Sequence, residues 1–432
     1  MHEAQREIPV NEEPADINST TNEAQVGTGK TEVTNTPILA PRGLSEDTKK
    51  VLDKGTQADN HLSEKGQTEI GIQIEPSNDA QVPILQAMEI QTRELLAAPK
   101  SPWQELPVPD GPDKHEACFE KGTTAPHRLK LIGARVRGKS HKHAGTNCDD
   151  WFEFDFAQDW TLMAVADGVG SRKLSRVGAK EACRSAVKVL KEDLQQVILA
   201  ERTSVTQFRN RGKDGRFPDM DMNQIEQALF RAMDAAYHSL VDAKDSRQDK
   251  QEYIDLLGQN PEISDFSTTL LLAVHNCFML EDKDYDFIMS LQVGDGMIAA
   301  VNVDDKLTLL GKPDSGEFAG QVIPISNSRI RDDKEKRRRI FTKIQRMKAI
   351  MLMTDGVADD YFPNDPEMLR LYEDLLKESI ITPTENGDQS AKKEGQQPIS
   401  QQERLKKWLD SYYVKGSFDD RTLVVLFRED RV

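Results

Sequence analysis

Three apolar runs of strand length in this chain each abut an aspartate, and that coincidence constrains the fold more than any other feature. Residues 162–166 read Leu-Met-Ala-Val-Ala and run straight into Asp167-Gly168-Val169-Gly170. Residues 351–353 read Met-Leu-Met and lead through Thr354 into Asp355-Gly356. Asp419-Asp420 stands directly before the apolar run 422–427. Runs of this length read as buried strands, and glycine lets the backbone turn at once or approach a ligand closely. Carboxylates at three strand ends imply one cluster, and clustered carboxylates usually hold a hard divalent cation.

Such a cluster needs a sheet-rich domain, which the sequence supplies from residue 127 onward. Strands are expected over 129–136, 151–156 and 162–167, the first two joined by a polar loop holding His141, His143, Cys148, Asp149 and Asp150. Apolar residues at helical spacing predict helices over 175–199 and 221–241, with the Gly- and Pro-bearing stretch 207–219 as a loop between them. Further strands follow over 267–274, 286–293, 297–303 and 306–310. Gly294-Asp295-Gly296 reads as a tight hairpin turn that needs positive backbone angles. The basic run within 332–339 reads as a solvated loop rather than a phosphopeptide contact. A strand over 350–354, a helix over 365–379, a flexible insertion over 382–402, a helix over 403–413 and a strand over 422–427 complete the chain. Consecutive strands favour antiparallel pairing with helices on the outer faces. The expected fold is therefore α+β, a four-layer α/β/β/α sandwich of two mainly antiparallel sheets flanked by helices.

Residues 1–126 have a different composition, with about twice as many acidic as basic residues and few clustered apolar ones. A segment like this buries too little surface to offset its ordering entropy, so it reads as a disordered acidic region and linker. Two stretches stand out in it: 70–74 alternates apolar and polar residues, and 82–96 has amphipathic helical spacing that would suit a docking partner. The formal net charge of −16 over 432 residues argues against a nucleic-acid partner. No apolar run is long enough to span a membrane. Cys118, Cys148, Cys183 and Cys277 lie far apart with no Cys-x-x-Cys pair, which points to a reducing, cytoplasmic setting rather than a disulfide framework. The chain is expected to be a monomer.

Five motifs occur in a set order: Asp149-Asp150, Ala166-Asp167-Gly168-Val169-Gly170, Gly294-Asp295-Gly296, Thr354-Asp355-Gly356-Val357-Ala358-Asp359, and Asp419-Asp420-Arg421-Thr422. In this order they resemble the PP2C-like (PPM) metal-dependent protein serine/threonine phosphatases, and the stretch from Arg137 to Asp150 looks most like a bacterial-type branch. The resemblance implies two Mg2+ or Mn2+ ions, with a third, weaker one in some members. It implies that Asp167 bridges the two ions, that the Gly168 carbonyl joins the second, and that Asp355 and Asp420 complete the first. Asp149 would contact the second ion directly or through water, with Asp150 beside it, and Asp295 and Asp359 would help the third site. Divalent ions relieve the repulsion among clustered carboxylates. Two such ions about 4 Å apart share a water, lower its pKa and present hydroxide to a phosphoryl phosphorus. The implied substrate is phosphoserine or phosphothreonine in a phosphoprotein.

Two positions depart from the pattern. Val169 stands where many relatives have a histidine thought to act as general acid, and Gly145 stands where they have a phosphate-binding arginine. His143, His141 or Arg137 are the nearby substitutes for the phosphate contact, with His143 favoured; a surface histidine in a polar loop is the plain alternative. A pseudophosphatase, a binding module on the same fold, is the alternative function, although the core aspartates are all present.

Overall fold

The computed structural model describes residues 103–199, 220–280, 283–314, 322–382, 399–412, 414 and 417–429. The stretches 70–74 and 82–96, the loop 207–219 and most of the insertion 382–402 lie outside the described residues.

The central strands of each sheet are buried on both faces, which is why they read as nearly unbroken apolar runs. The six-stranded sheet runs, in spatial order, β1 (Cys118–Thr124), β2 (Lys130–Val136), β11 (Arg421–Phe427), β10 (Met347–Met353), β7 (Met297–Asn302) and β8 (Leu307–Leu309). The five-stranded sheet runs β3 (Trp151–Ala157), β4 (Trp160–Ala166), β5 (Leu270–Leu280), β6 (Lys283–Val293) and β9 (Ile340–Ile344). Every pairing is antiparallel.

The period of two sorts each strand's side chains between two cores. On β4, Leu162, Ala164 and Ala166 pack against helices α2 (Ser175–Leu194) and α3 (Met220–Asp245), while Met163 and Val165 face the other sheet. On β11, Leu423, Val425 and Phe427 pack under helices α7 (Asn364–Lys377) and α8 (Gln401–Ser411), while Val424 and Leu426 fill the space between the sheets. Each such fully buried Leu, Val or Met contributes roughly 1.5–3 kcal/mol. The expected four-layer α/β/β/α sandwich is the observed fold.

Four local expectations change. β1 lies before the boundary placed at residue 126, yet pairs along its whole length with β2, so the folded unit starts earlier than its composition indicates. Gly294–Gly296 is not a hairpin turn: it carries the chain from β6 in one sheet to β7 in the other, with Gly294 at φ +111°. The polar loop after β2 contains a short helix, α1 (Lys139–Ala144). The basic run is a short helix, α5 (Asp333–Arg338), N-capped by the Asp332 side chain. It is not simply solvated, because Lys336 is buried with Nζ 2.6 Å from both carboxylate oxygens of Asp234 on α3, and Arg337 lies 3.5 Å from buried Glu226. Two further short helices, α4 (Gln251–Leu257) and α6 (Asp355–Ala358), flank the end of the sandwich where the aspartates gather.

Candidate metal centre

Antiparallel register gathers the aspartates at one end of the sandwich. The last residue of β4 pairs with the first of β3 (Ala166 with Trp151), which brings Asp167 beside Asp149 and Asp150. The last residue of β10, Met353, pairs with Leu423 of β11 and Met297 of β7, which brings Asp355, Asp419, Asp420 and Asp295 together. Asp149 and Asp420, 271 residues apart in sequence, thus meet.

Hydrogen bonds hold the backbone beneath these carboxylates. The Asp167 N–H donates to Thr269 Oγ1 at 2.8 Å, and the Asp167 carbonyl accepts from Thr268 Oγ1 at 2.7 Å and the Thr269 N–H at 2.8 Å. Gly168 forms a β-bridge with Thr268. Two glycines allow the segments to touch. A Cβ at Gly138 would lie 2.2 Å from the Asp419 carbonyl carbon, and one at Gly356 would lie 1.9 Å from the Asp420 carbonyl oxygen. The Asp419–Asp420 backbone is therefore held between two bare glycines.

A cleft of about 810 Å³ opens over this end. Asp149, Asp167, Gly168, Asp295, Asp355 and Asp419 line it. Asp167, Asp295 and Asp355 are half-buried and bring one carboxylate oxygen each within 4.8 Å of one another. Asp359 is exposed and lines a neighbouring hollow that shares Asp355 and Asp419 with the main cleft. Asp150 sits behind the cleft, 1% exposed, with Oδ2 accepting from Thr354 Oγ1 at 2.8 Å and Thr422 Oγ1 at 2.7 Å.

Asp420 lies deeper than its neighbour Asp419. Its carboxylate is buried and turned inward, Oδ1 accepting the Gly138 N–H and Oδ2 the Asp149 N–H, both at 2.6 Å, with His141 Nδ1 at 2.9 Å. Asp419, to which the resemblance gave no ligand role, is the member of the pair that lines the cleft. The two carboxylates stay close, each bringing one oxygen within 4.8 Å of the other and of a His141 ring nitrogen. His143 is not brought to the site: it packs edge-on against Trp103, and its Nδ1 accepts the Gln104 N–H at 3.2 Å. His141, one helical turn-fraction earlier, lines the cleft instead. Arg137 is also committed elsewhere, to the carbonyls of Thr146 and Leu106.

Electrostatics separates this cluster from an ordinary polar surface. Burial, with the Asp420 charge, pushes Asp149 up to about 7. Burial, with the charges of Asp295 and Asp419, pushes Asp355 to the same value. Asp167 and Asp150 are driven well above the usual carboxylate range, mainly by burial and then by the neighbouring aspartates. Desolvation and like charge also raise Asp295, Asp359 and Asp419. His141 is raised to about 9, because burial, which alone would lower it, is outweighed by its bond to Asp420. Among the described residues, Asp150 Oδ1 and Asp295 Oδ1 are buried without a hydrogen-bond partner. All-oxygen donors, uncompensated negative charge and orphaned carboxylate oxygens fit a hard divalent cation.

The Protein phosphatase 2C family model matches residues 137–410, well over half of the chain. The chain belongs to the protein phosphatase 2C family. As a member it is a protein phosphatase of the PPM type, and the matched span runs from the end of β2 almost through α8. Among solved structures it is similar to the serine/threonine phosphatase Stp1 from Staphylococcus aureus, at 15% identity over 72% of this chain and 99% of that one, with a TM-score of 0.38. It is also similar to a phosphatase from a pathogenic strain of Toxoplasma gondii, at 10% identity over 73% and 97% of the two chains, with a TM-score of 0.42. RsbX in complex with magnesium gives 12% identity over 72% and 99%, with a TM-score of 0.34. No curated protein matches the chain at a significant level. No helix among the described residues of this PP2C chain is long and apolar enough to cross a membrane.

Proposed function

We propose that this PP2C chain is a Mg2+- or Mn2+-dependent phosphatase that hydrolyses phosphoserine or phosphothreonine in proteins. The observation that carries the reading is the convergence of Asp167, Asp295 and Asp355 on one cleft, with oxygens within 4.8 Å and protonation favoured by burial and mutual repulsion. Asp167, the Gly168 carbonyl, Asp149, Asp355 and Asp419 would hold two ions, with Asp295 and Asp359 beside them for a weaker third. Bound there, the ions supply an acidified water as nucleophile and neutralise charge on the phosphoryl oxygens. The chain's own contribution is placement. Thr268 and Thr269 fix the Asp167 backbone, and Asp150 ties the end of β10 to the start of β11 through Thr354 and Thr422. Asp420 fixes the Asp149 N–H and orients His141, which leaves the imidazole at the cleft wall as a proton-bearing side chain that would substitute for the histidine absent at Val169.

The test is hydrolysis of an aryl phosphate and a phosphothreonine peptide with Mn2+, Mg2+ or EDTA, comparing wild type with Asp167→Asn and checking the fold of both. Turnover that needs a divalent ion and disappears in a folded mutant supports the reading. A folded wild type that binds Mn2+ yet hydrolyses neither substrate supports the pseudophosphatase instead.

A further inference from the structure

A phosphoryl dianion entering a cleft lined by six aspartates needs cationic partners from the protein as well as from bound metal. Four side chains able to carry positive charge line that cleft: His141, Arg172, Lys173 and Arg176. Three of them are already engaged. His141 is bound to the Asp420 carboxylate at 2.9 Å. Lys173 donates its Nζ to the Leu256 carbonyl at 2.7 Å. Arg176 is buried, and its guanidinium donates to the carbonyls of Asp113 at 2.7 Å, Pro112 at 3.0 Å and Lys173.

Arg172 differs. It is exposed, and among the described residues its guanidinium has no hydrogen-bond or ion-pair partner. Its backbone, by contrast, is fixed. The Arg172 N–H donates to the Val169 carbonyl at 2.8 Å, and its own carbonyl accepts from the Ser175 N–H at 3.3 Å and Ser175 Oγ at 2.8 Å. That places a fixed Cα five residues beyond Asp167, carrying a long side chain whose five donors are uncommitted. Holding a free guanidinium near carboxylates without pairing it to one of them suits a ligand that arrives from solvent. A planar fork of donors matches two phosphoryl oxygens at once.

We propose that Arg172 binds the phosphoryl group of the substrate at the rim of the cleft, an inference that rests on the phosphatase reading above. The test uses the full chain loaded with Mn2+, with Arg172→Ala and Arg172→Lys beside wild type. Two quantities are read: steady-state kinetics on an aryl phosphate and a phosphothreonine peptide, and the affinity for inorganic phosphate by calorimetry. Arg172→Ala is expected to raise KM for both substrates, and weaken phosphate binding, by about tenfold with a smaller change in kcat, as loss of a charged hydrogen bond made in the ground state requires. Arg172→Lys should recover part of the loss, because it keeps the charge and loses the fork. Unchanged phosphate affinity in Arg172→Ala overturns the proposal, as does a wild type that binds no phosphate. A loss confined to the peptide also overturns it, moving Arg172 to the substrate's flanking sequence. Phosphate binding that depends on Arg172 in a protein without turnover upholds the proposal while the phosphatase reading falls.

Discussion

Among the described residues three groups of side chains bring potential metal donors within 4.8 Å of one another; His141, Asp419 and Asp420 form one beside the cleft, and the other two are balanced in opposite ways. In the cleft, Asp167, Asp295 and Asp355 face one another and further aspartates. Away from it, His275 and Cys277 on β5 and Asp286 on β6 form the second group. There, Asp286 Oδ1 accepts from His275 Nε2 at 2.8 Å and Arg428 Nη2 at 2.7 Å, and its Oδ2 accepts the Met347 N–H at 2.8 Å. Burial, which would raise Asp286, is outweighed by these partners, and its carboxyl is held well below the usual range. The Cys277 thiol is pushed up to about 12 by burial and the Asp286 charge, so it stays protonated. Donor proximity is thus the same in both places, while charge compensation is complete in one and lacking in the other. The His275–Cys277–Asp286 group is a polar clip that ties β6 to β10 across the two sheets; the cleft carboxylates are left without such partners, as an ion site requires.

The comparison can be broken most directly at its two centres. Asp355→Asn should lower divalent-dependent turnover by about two to three orders of magnitude, on the scale of losing one group that stabilises transition-state charge. The same variant should melt at a higher temperature than wild type in EDTA, because a repelling charge has gone. Asp286→Asn should do the reverse. It strands Arg428 and His275 and should cost about 3–5 kcal/mol in denaturant unfolding, with divalent-dependent kcat of the folded protein changed less than twofold. An Asp286→Asn protein as stable as wild type would remove the distinction.

pH sharpens the contrast, because the two regions have shifts of opposite sign. Asp149 and Asp355 ordinarily titrate near 3.8 and are raised to about 7 in the fold. The folded state therefore binds more protons between those values, and metal-free stability falls as pH rises from about 4 through 7. EDTA-treated protein should melt several degrees higher at pH 5 than at pH 8, and added Mn2+ should narrow or invert that difference. Asp286, held low, contributes stability above its ordinary pKa of 3.8 that is lost only in acid below it. A metal-free protein most stable at pH 8 would contradict the assigned imbalance. The smallest effect separates neighbours. Asp419→Asn should raise the Mn2+ concentration needed for half-maximal activity by about tenfold, whereas Asp420→Asn should chiefly lower stability, by about 1–2 kcal/mol for a weakened pair of buried acceptors.

What the sequence disclosed follows from how local each signal is. Asp167 and Asp355 were legible because an apolar run followed by Asp-Gly is a strand end written in adjacent letters. The layered fold was legible because runs such as 162–166 are apolar at every position, which requires cover on both faces. Strand partners were not legible. Gly294–Gly296 has the composition of a hairpin, and only the pairing of β7 with β10 rather than β6 shows that it crosses between sheets. β1 was missed because Cys-Phe-Glu-Lys-Gly-Thr-Thr is an edge strand with too few apolar residues to show a period. The choice between Asp419 and Asp420 turns on side-chain direction at one backbone position, which residue type does not encode. The preference for His143 failed for the same reason: on α1, His141 and His143 point to different sides, one to Asp420 and one to Trp103.

The bare contacts at Gly138 and Gly356 bear on how portable this centre is. Its carboxylates are spaced partly by atoms that are missing, since any side chain at either position would occupy the space of the Asp419–Asp420 backbone. A list of aspartates therefore does not specify the centre. Grafting the same acids onto another sandwich would reproduce the inventory without the spacing, and an inventory-based redesign should begin from the two residues that contribute no functional group.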